Sequence, residues 1–293
     1  ARLAPAFLAV DPTVPRSLLG EALCRMTKIC EARGLPAYYV SHAGDGNLHP
    51  HILIADADDE KLLDHVRETG RLMMQEAVRM GGTISGEHGV GVEKREFMNF
   101  MHTPDELSAM RDLKAVFDPQ NRFNPDKMFP TTEPEPDLIP QRQVLPAVQA
   151  MADQIRIAAQ SVPPARVHLG RMPAPDGVSA PGDLLLSSQT LDGVISFVPD
   201  DMYVVAGAGT SLQGLRRFLI AKERYLPLIS PWDETTLGGL VAANLNAPLR
   251  TRYGGIRDLL LCLTVILPDG RVIDAGKPLV KNVAGYDLPK LFV

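Results

Sequence analysis

Hydrophobic and polar positions follow two different periods in the first half of the chain. Three stretches have apolar residues at helical spacing and are predicted to form amphipathic helices: residues 17–33, 59–80 and 105–117. Three shorter stretches have the composition of strands: residues 37–42, 48–54 and 83–85. Gly44-Asp45-Gly46-Asn47 is typical of the turn that joins the first two strands. Helices combined with hairpin strands predict an α+β sheet covered by helices on one face.

The second half has the same mixed pattern, after a linker rich in proline and acidic residues at 130–136. Its predicted helices are residues 145–160 and one that starts at Ser211, for which Thr210 is the expected cap. Its predicted strands are residues 165–169, 194–197, 202–206, 260–267 and 271–273.

Composition narrows the classes of function. The 293-residue chain has a net charge of -5, so it lacks the excess of positive charge that is typical of a nucleic-acid-binding protein. No apolar run reaches the ~20 residues that cross a bilayer, and the start of the chain lacks the pattern of a signal peptide. The three cysteines are odd in number, which argues against a disulfide framework and predicts a reducing, cytoplasmic setting. The absence of an initial Met and the ending within a predicted element lead us to expect a fragment.

Two glycine-bounded motifs carry the chemistry, His42-Ala43-Gly44-Asp45-Gly46-Asn47-Leu48-His49 and Gly81-Gly82-Thr83-Ile84-Ser85-Gly86-Glu87-His88-Gly89-Val90-Gly91. Together they supply three histidines and a carboxylate, a ligand set that suits a divalent transition metal with an open position. A metal beside a spare histidine can move a proton off a hydroxyl group. These motifs make the chain an enzyme candidate.

The expected local geometry supports a shared ion. His49 and His51 point to one face of a strand, and the turn folds His42 back beside His49. Glu87 and His88 are neighbours and therefore diverge, so that one can bind the ion while the other faces a substrate. The simpler alternative is a set of hydrogen-bonded loop side chains, which accounts less well for two paired motifs. The charged run 93–96 is predicted to be a solvated helix start.

The second half contains glycine-rich loops of the kind that let backbone amides approach a phosphate or a flat ring. They are the segments 206–210, 235–244, 253–258 and 281–287. The first precedes a predicted helix whose N-terminus suits a pyrophosphate.

The motifs HAGDGNLHP, GGTISGEHGVGVEKREFM and AVFDPQNRFNPDKMFP over residues 8–130 resemble the C-terminal cap of FAD-linked 2-hydroxy-acid dehydrogenases. This family includes the main flavin subunit of bacterial glycolate oxidase, D-lactate dehydrogenase and D-2-hydroxyglutarate dehydrogenase. The resemblance implies a ferredoxin-like α+β cap with zinc, or alternatively manganese or iron, held by His42, His49 and Glu87. It further implies His88 as the base, with Arg16 (in the motif DPTVPR) and His51 as substrate contacts. Ala9 stands where some relatives have a lysine for the substrate carboxylate.

Residues 140–293 resemble the FAD-binding α+β domain of the vanillyl-alcohol-oxidase (PCMH) type, as found in the second, smaller flavin-like subunit of glycolate oxidase, which also carries KNVAGYDL. The first phosphate loop of that family is glycine-rich, whereas residues 167–171 keep one glycine. The resemblance implies FAD as the cofactor. The positions that it implies for FAD contact are Gly207, Gly209, Thr210, Thr236, Gly238, Gly239, Asn244, Gly255, Asp258, Asn282, Gly285 and Tyr286.

The predicted domain order is a cap at residues 1–130, a proline-rich linker at 131–139 and a truncated FAD domain at 140–293. Complete dehydrogenases have the FAD domain first, so the reversed order favours a junction of two subunits fused head to tail. A permuted flavoenzyme is the alternative interpretation.

The function that the resemblance implies is oxidation of a small 2-hydroxy acid of the glycolate or D-lactate class. Expected partners are a quinone or redox-protein electron acceptor and other oxidase subunits, through which the protein would be peripheral at the inner membrane. A non-catalytic flavin-binding or scaffold subunit is the main alternative. A metal-dependent hydrolase built on the histidines and Glu87 alone is a weaker one.

Overall fold

The computed structural model describes residues 4–134, 140, 143–162, 165–170 and 182–293. Its contacts divide the chain into two compact units. Unit 1 comprises Ala1–Gln141 and Gly276–Asp287, and unit 2 comprises Arg142–Ala275 and Leu288–Val293. Both units mix helices and strands, which confirms the α+β class. Among the helices of the described ranges, none is both long enough and apolar enough to span a bilayer.

Unit 1 is built on a three-stranded antiparallel sheet in the order β1-β3-β2. The strands are β1 (Ala6–Ala9), β2 (Ala37–His42) and β3 (Asn47–Ile54). The helices are α1 (Leu19–Ala32), α2 (Glu60–Arg79), α3 (Gly91–Lys94), α4 (Met98–Met101) and α5 (Pro104–Phe117). The hairpin and the three long helices that the periodicity predicts are therefore present, whereas β1 had no counterpart in the sequence pattern.

The β2–β3 turn has a steric reason for its glycine. Gly46 has a φ of 74°, and a Cβ at this position would lie 2.1 Å from the Val14 carbonyl oxygen. Only glycine tolerates both conditions. The close approach also lets the Val14 amide donate to the Gly46 carbonyl, which fixes the loop before α1 against the turn.

Residues 83–85 do not form the predicted strand, and they pair instead through isolated bridges. Ser85 bridges Asp11 in parallel, and Thr83 bridges Thr13 in antiparallel orientation. Two bridges of opposite direction cannot extend into one ladder, because the chain would have to run both ways along its partner. Their effect is to bring the segment after β1 beside the loop that carries Glu87 and His88.

The segment 276–287 belongs to unit 1, although sequence reasoning grouped it with the flavin section. Thr83 donates from its hydroxyl to Asn282 Oδ1 at 2.9 Å, and the Val283 amide donates to the Ser85 carbonyl at 3.0 Å. Gly285, with a φ of 94°, packs where a Cβ would lie 2.9 Å from the sulfur of Met110. The functional boundaries at residues 130 and 140 stay a prediction.

Unit 2 contains three two-stranded sheets and several short helices. Its strands are β4 (Val167–Gly170), β5 (Leu184–Ser187), β6 (Val194–Val198), β7 (Tyr203–Ala206), β8 (Cys262–Ile266) and β9 (Val272–Gly276, the last residue of which belongs to unit 1), paired as β4-β5, β6-β7 and β8-β9. Its helices are α6 (Pro146–Gln160), α7 (Leu212–Ile220), α8 (Leu237–Ala242), α9 (Arg250–Tyr253), α10 (Ile256–Leu259) and α11 (Leu288–Leu291).

The predicted cap of α7 is wrong by one residue. Ser211, not Thr210, accepts the Gly214 amide at 3.0 Å from its hydroxyl oxygen. The Thr210 hydroxyl instead accepts the Gly193 amide at 2.9 Å, because Thr210 is buried beside Gly193, the residue just before β6. Residues 135–139 of the predicted linker lie outside the described residues, as does Arg171 of the first phosphate loop.

Candidate metal and proton-transfer site

Three side chains of unit 1 converge on one point. His42 is the last residue of β2, His49 lies on the central strand β3, and Glu87 follows the bridged segment at Ser85. Glu87 Oε1 lies 3.1 Å from His42 Nε2 and 3.0 Å from His49 Nε2. The three ligand atoms all lie within 4.8 Å of one another.

The strand register accounts for the pairing of the two histidines. His42 stands opposite Asn47, and Val40 stands opposite His49, so the imidazoles are diagonal neighbours. Their ring centroids are 5.4 Å apart in an edge-on arrangement. Burial lowers the pKa of His49, against the opposing influence of Glu87. The neutral imidazole is the form that binds a metal, so burial prepares this ligand.

The donor set fits a divalent transition metal. Two imidazole nitrogens and one carboxylate oxygen form a three-ligand set of the kind found in catalytic zinc sites. Tetrahedral bonds of about 2.1 Å would separate such ligands by about 3.4 Å, close to the observed spacing around Glu87 Oε1. A hydrogen bond from Lys281 lowers the pKa of Glu87, which favours the carboxylate that a metal needs.

Glu87 and His88 diverge as predicted, and Glu87 is the one that joins the histidines. The His88 ring stacks on His49, with centroids 5.1 Å apart and an interplanar angle of 25°. Its side chain is half exposed. His88 is therefore beside the ligand set with a face open to solvent, as a proton acceptor for a substrate requires.

A buried carboxylate that sequence reasoning did not select organises this turn. Asp11 is 0% exposed, and its Oδ2 accepts the amides of Glu87 at 3.1 Å and His88 at 2.8 Å. Burial alone would raise the pKa of Asp11, but hydrogen bonds from Lys94 and from these amides lower it below its usual value. The motif that contains Asp11 was noticed, but nothing local indicated that its carboxylate would reach a loop more than seventy positions away.

The prediction of a solvated helix start at residues 93–96 is wrong at two positions. Lys94 is 8% exposed and forms an ion pair with Asp11, because the carboxylate beneath the turn needs a counter-ion. Glu96 accepts bonds from the hydroxyls and amides of Thr131 and Thr132. Burial opposes the ionisation of Glu96, yet these bonds lower its pKa to about 2.

The two predicted substrate contacts have different surroundings. The His51 ring stacks on Tyr38 at 4.5 Å and lies 4.9 Å from Phe7, and its Nδ1 bonds to the His49 carbonyl oxygen at 2.8 Å. Arg16 begins the single 3-10 turn that precedes α1. The substrate roles of Arg16 and His51 stay predictions.

Unit 2 brings together two of the predicted flavin loops. The Leu237 amide donates to the Thr210 carbonyl, and the Gly238 amide donates to the Ala208 carbonyl at 2.8 Å. Thr236 caps α8 by accepting the Gly239 amide at 3.1 Å. These bonds join the segments 206–210 and 235–239 into one surface.

Several amides expected to hold pyrophosphate are already bonded within the unit. Gly207 donates to Gly193, and Gly209 donates to Leu191. The glycines are also required by packing, since a Cβ at Gly207 or Gly209 would lie 2.0 Å from a carbonyl oxygen. The amides of Gly207 and Gly209 are therefore not free donors for a phosphate in this structure.

The remaining predicted flavin positions divide between the units. Asp258 accepts the Gly255 amide at 2.8 Å, and Asn244 has a φ of 44° in the loop before α9. Asn282, Gly285 and Tyr286 belong to unit 1, where the Tyr286 ring lies edge-on to Phe129 at 6.3 Å. The FAD role of each position stays a prediction.

Each half of the chain matches a known protein family. Residues 2–128 match the family described as FAD linked oxidases, C-terminal domain, and residues 148–276 match the family described as FAD binding domain. Fold and motifs together thus define a flavoprotein of the FAD-linked oxidase class. Together with the glycolate oxidase and D-lactate dehydrogenase relatives, these two partial matches support an FAD-linked 2-hydroxy-acid oxidase family.

Curated relatives match parts of the chain. It is 37% identical over 121 residues to glycolate oxidase subunit GlcD of Bacillus subtilis, which is 41% of this chain and 26% of that protein. It is 35% identical over 115 residues to glycolate oxidase subunit GlcE of Escherichia coli, covering 37% of this chain and 33% of that protein. D-lactate dehydrogenase of Archaeoglobus fulgidus is 34% identical over 112 residues, with 38% and 24% covered. The chain thus spans only a quarter to a third of the length of these relatives.

Proposed function

We propose that the protein takes part in FAD-dependent oxidation of a small 2-hydroxy acid of the glycolate or D-lactate class, with unit 1 supplying a metal-assisted proton acceptor. The observation that carries this proposal is the convergence of His42, His49 and Glu87 beside the half-exposed ring of His88. The names of the relatives support the substrate class. Unit 1 is then a ferredoxin-like cap and unit 2 a PCMH-type FAD domain.

His42, His49 and Glu87 would hold zinc, manganese or iron. A divalent ion there supplies Lewis acidity, which makes a bound hydroxyl easier to deprotonate. Bound FAD supplies the hydride acceptor. The donor atoms of the two histidines and Glu87 lie within 4.8 Å of one another, and burial lowers the pKa of His49, which favours its neutral imidazole.

His88 removes the hydroxyl proton in this proposal. Asp11 Oδ2 lies 3.8 Å from His88 Nδ1, and its negative charge favours a proton on that nitrogen. Nε2 is then the acceptor atom. The His88 amide donates to Asp11, and this bond fixes the backbone from which the His88 ring projects. The ring is thereby positioned while its exposed edge stays open to a substrate.

A substitution of His88 tests the proposed acceptor. His88→Ala in the complete protein should lower turnover of glycolate or D-lactate by a factor of about 10²–10⁴, the usual contribution of a general base. The measurement is reduction of an artificial electron acceptor at saturating substrate, together with the metal and flavin content of each preparation. His65→Ala on α2 is the matched control and should keep activity. Unchanged turnover in His88→Ala would remove His88 from the mechanism.

A second candidate is a flavin-binding or scaffold subunit without its own chemistry. The bonded amides of Gly207, Gly209 and Gly238 favour it, because a phosphate would have to compete with carbonyl oxygens for them. The GlcD and GlcE names support partner subunits, which would pass electrons to a quinone or redox protein. The absorption spectrum of the purified protein separates the candidates, since a colourless protein with full metal content favours a scaffold role for unit 2.

A further inference from the structure

The most unexpected part of unit 1 is the segment 276–287, which reaches the candidate metal centre from far along the chain. Asn282 Oδ1 accepts a bond from the Thr83 hydroxyl and the Val283 amide donates to the Ser85 carbonyl, which fastens this segment to the residues just before Glu87. His102 Nε2 bonds to the Ala284 carbonyl oxygen at 3.3 Å on the other side. The segment is thereby anchored at Asn282–Ala284, and Lys281, the residue before this anchor, contacts Glu87 of the proposed metal ligands.

The Lys281 ammonium joins the two loops that hold the ligands. Its Nζ lies 3.1 Å from Glu87 Oε2 and 2.9 Å from Asp45 Oδ2. Asp45 lies in the turn between His42 and His49, and Glu87 lies on the opposite loop. One cation therefore bridges the hairpin turn to the Glu87–His88 turn.

The two oxygens of Glu87 have different partners because of this contact. Oε2 is held by Lys281, and Oε1 faces His42 Nε2 and His49 Nε2. A carboxylate with one oxygen engaged by an ammonium presents the other as a single ligand atom. Groups that hydrogen-bond a ligating carboxylate in this way orient it and tune the affinity for the metal.

A positive charge beside a metal site also opposes the ion, so the two effects must be compared. Asp45 offsets the charge of Lys281 at 2.9 Å, and the ammonium contacts the Glu87 oxygen that faces away from the histidines. The side chains of Lys281 and Glu87 are both partly exposed, so solvent and salt further screen the repulsion between the ammonium and a metal ion. Orientation of Glu87 is therefore expected to outweigh repulsion.

We propose that Lys281 is a positioning residue of the metal centre, which fixes Glu87 as a one-oxygen ligand and clamps the His42–His49 turn against it. This inference rests on the proposed metal role of His42, His49 and Glu87. It gives the KNVAGYD motif a function in unit 1, different from the flavin contact that sequence reasoning assigned to that motif.

The test is metal affinity, measured by competition of Zn²⁺ and Co²⁺ between the purified protein and a chromogenic chelator. Lys281→Met should weaken binding by about 10–100-fold, the usual cost of losing such a supporting contact. Lys281→Arg, which keeps a charged donor for both carboxylates, should restore affinity to within a few-fold of wild type. Lys277→Met removes one positive charge from the same segment and should leave affinity unchanged.

The outcomes separate this inference from the function on which it rests. If wild type binds the metal and Lys281→Met binds it equally or more tightly, Lys281 does not position Glu87 and only the inference fails. If wild type binds no metal, the metal role and the inference fail together. Should Lys281→Met not fold, Lys281→Gln replaces it, and wild-type affinity in that variant would also overturn the inference.

Discussion

The residues of the candidate site are of two kinds. Some face the position proposed for the metal and the substrate, and others hold the first kind in place. Glu87 and His88 project from a turn whose two amides both donate to Asp11 Oδ2. Asp11 is itself held by Lys94 and by the Ser85 hydroxyl at 3.1 Å. A buried charge pair therefore lies directly beneath the turn that carries Glu87 and His88, and its loss should disturb both stability and this turn.

Asp11→Asn tests this support. The change removes the charge but little volume, and it leaves the Lys94 ammonium buried without its counter-ion. Breaking a buried pair from one side typically costs about 3–5 kcal/mol, so we expect unit 1 to lose stability by that order. Denaturant unfolding monitored by circular dichroism measures it. Asp58→Asn, on an exposed loop, is the control and should change little. A loss below about 1 kcal/mol in Asp11→Asn would contradict the buried-pair interpretation.

The sequence predicted the cluster of His42, His49 and Glu87 that the structure brings together, but it did not predict the residues that support this cluster. The reason is the distance along the chain. His42 and His49 share one hairpin, so strand periodicity alone brings them together. Asp11 and Lys94 are 83 positions apart, and Lys281 and Glu87 are 194 positions apart. No local pattern reports such contacts. Lys94 even has the signature of a surface charge, because its partner becomes visible only when the fold is known.

Elements defined by local rules were predictable from the sequence. β2 and its turn follow from strand-type composition and from glycine, and α2 ends near the Gly81-Gly82 pair as expected. The pairing of segment 83–85 was not predictable, because its partners, Asp11 and Thr13, come from a stretch without strand periodicity. The strand β1 was missed because it is only four residues long, too short for a periodic signal.

The helix α7 provides a test at the scale of an element. Ser211→Ala removes the hydroxyl that accepts the Gly214 amide, and loss of such a cap typically costs about 1 kcal/mol. Thermal unfolding of unit 2 should shift downward accordingly. Ser211→Asn, which retains a capping oxygen, is the matched variant and should stay near wild type. Equal losses in both variants would show that the serine acts through packing and not as a cap.

At the scale of the whole molecule, the division into two compact units has consequences for how the chain unfolds. The residues proposed to bind the metal all belong to unit 1, and so does the segment of Lys281. The loops 206–210 and 235–239 belong to unit 2. Chains with more than one compact unit commonly depart from two-state unfolding. A ligand that binds one unit stabilises that unit by mass action.

Calorimetry with and without metal therefore tests the assignment of the site to unit 1. Zn²⁺ at 100 times its dissociation constant should stabilise the unit that binds it by about 2.7 kcal/mol, and it should leave the other transition in place. His42→Ala should abolish the shift, whereas His168→Ala, a histidine of unit 2 paired with Asp183, should preserve it. A shift that survives in His42→Ala would locate the ion elsewhere. Equal shifts of both transitions would indicate that the two units unfold together, because stabilisation of one would then be shared by the other.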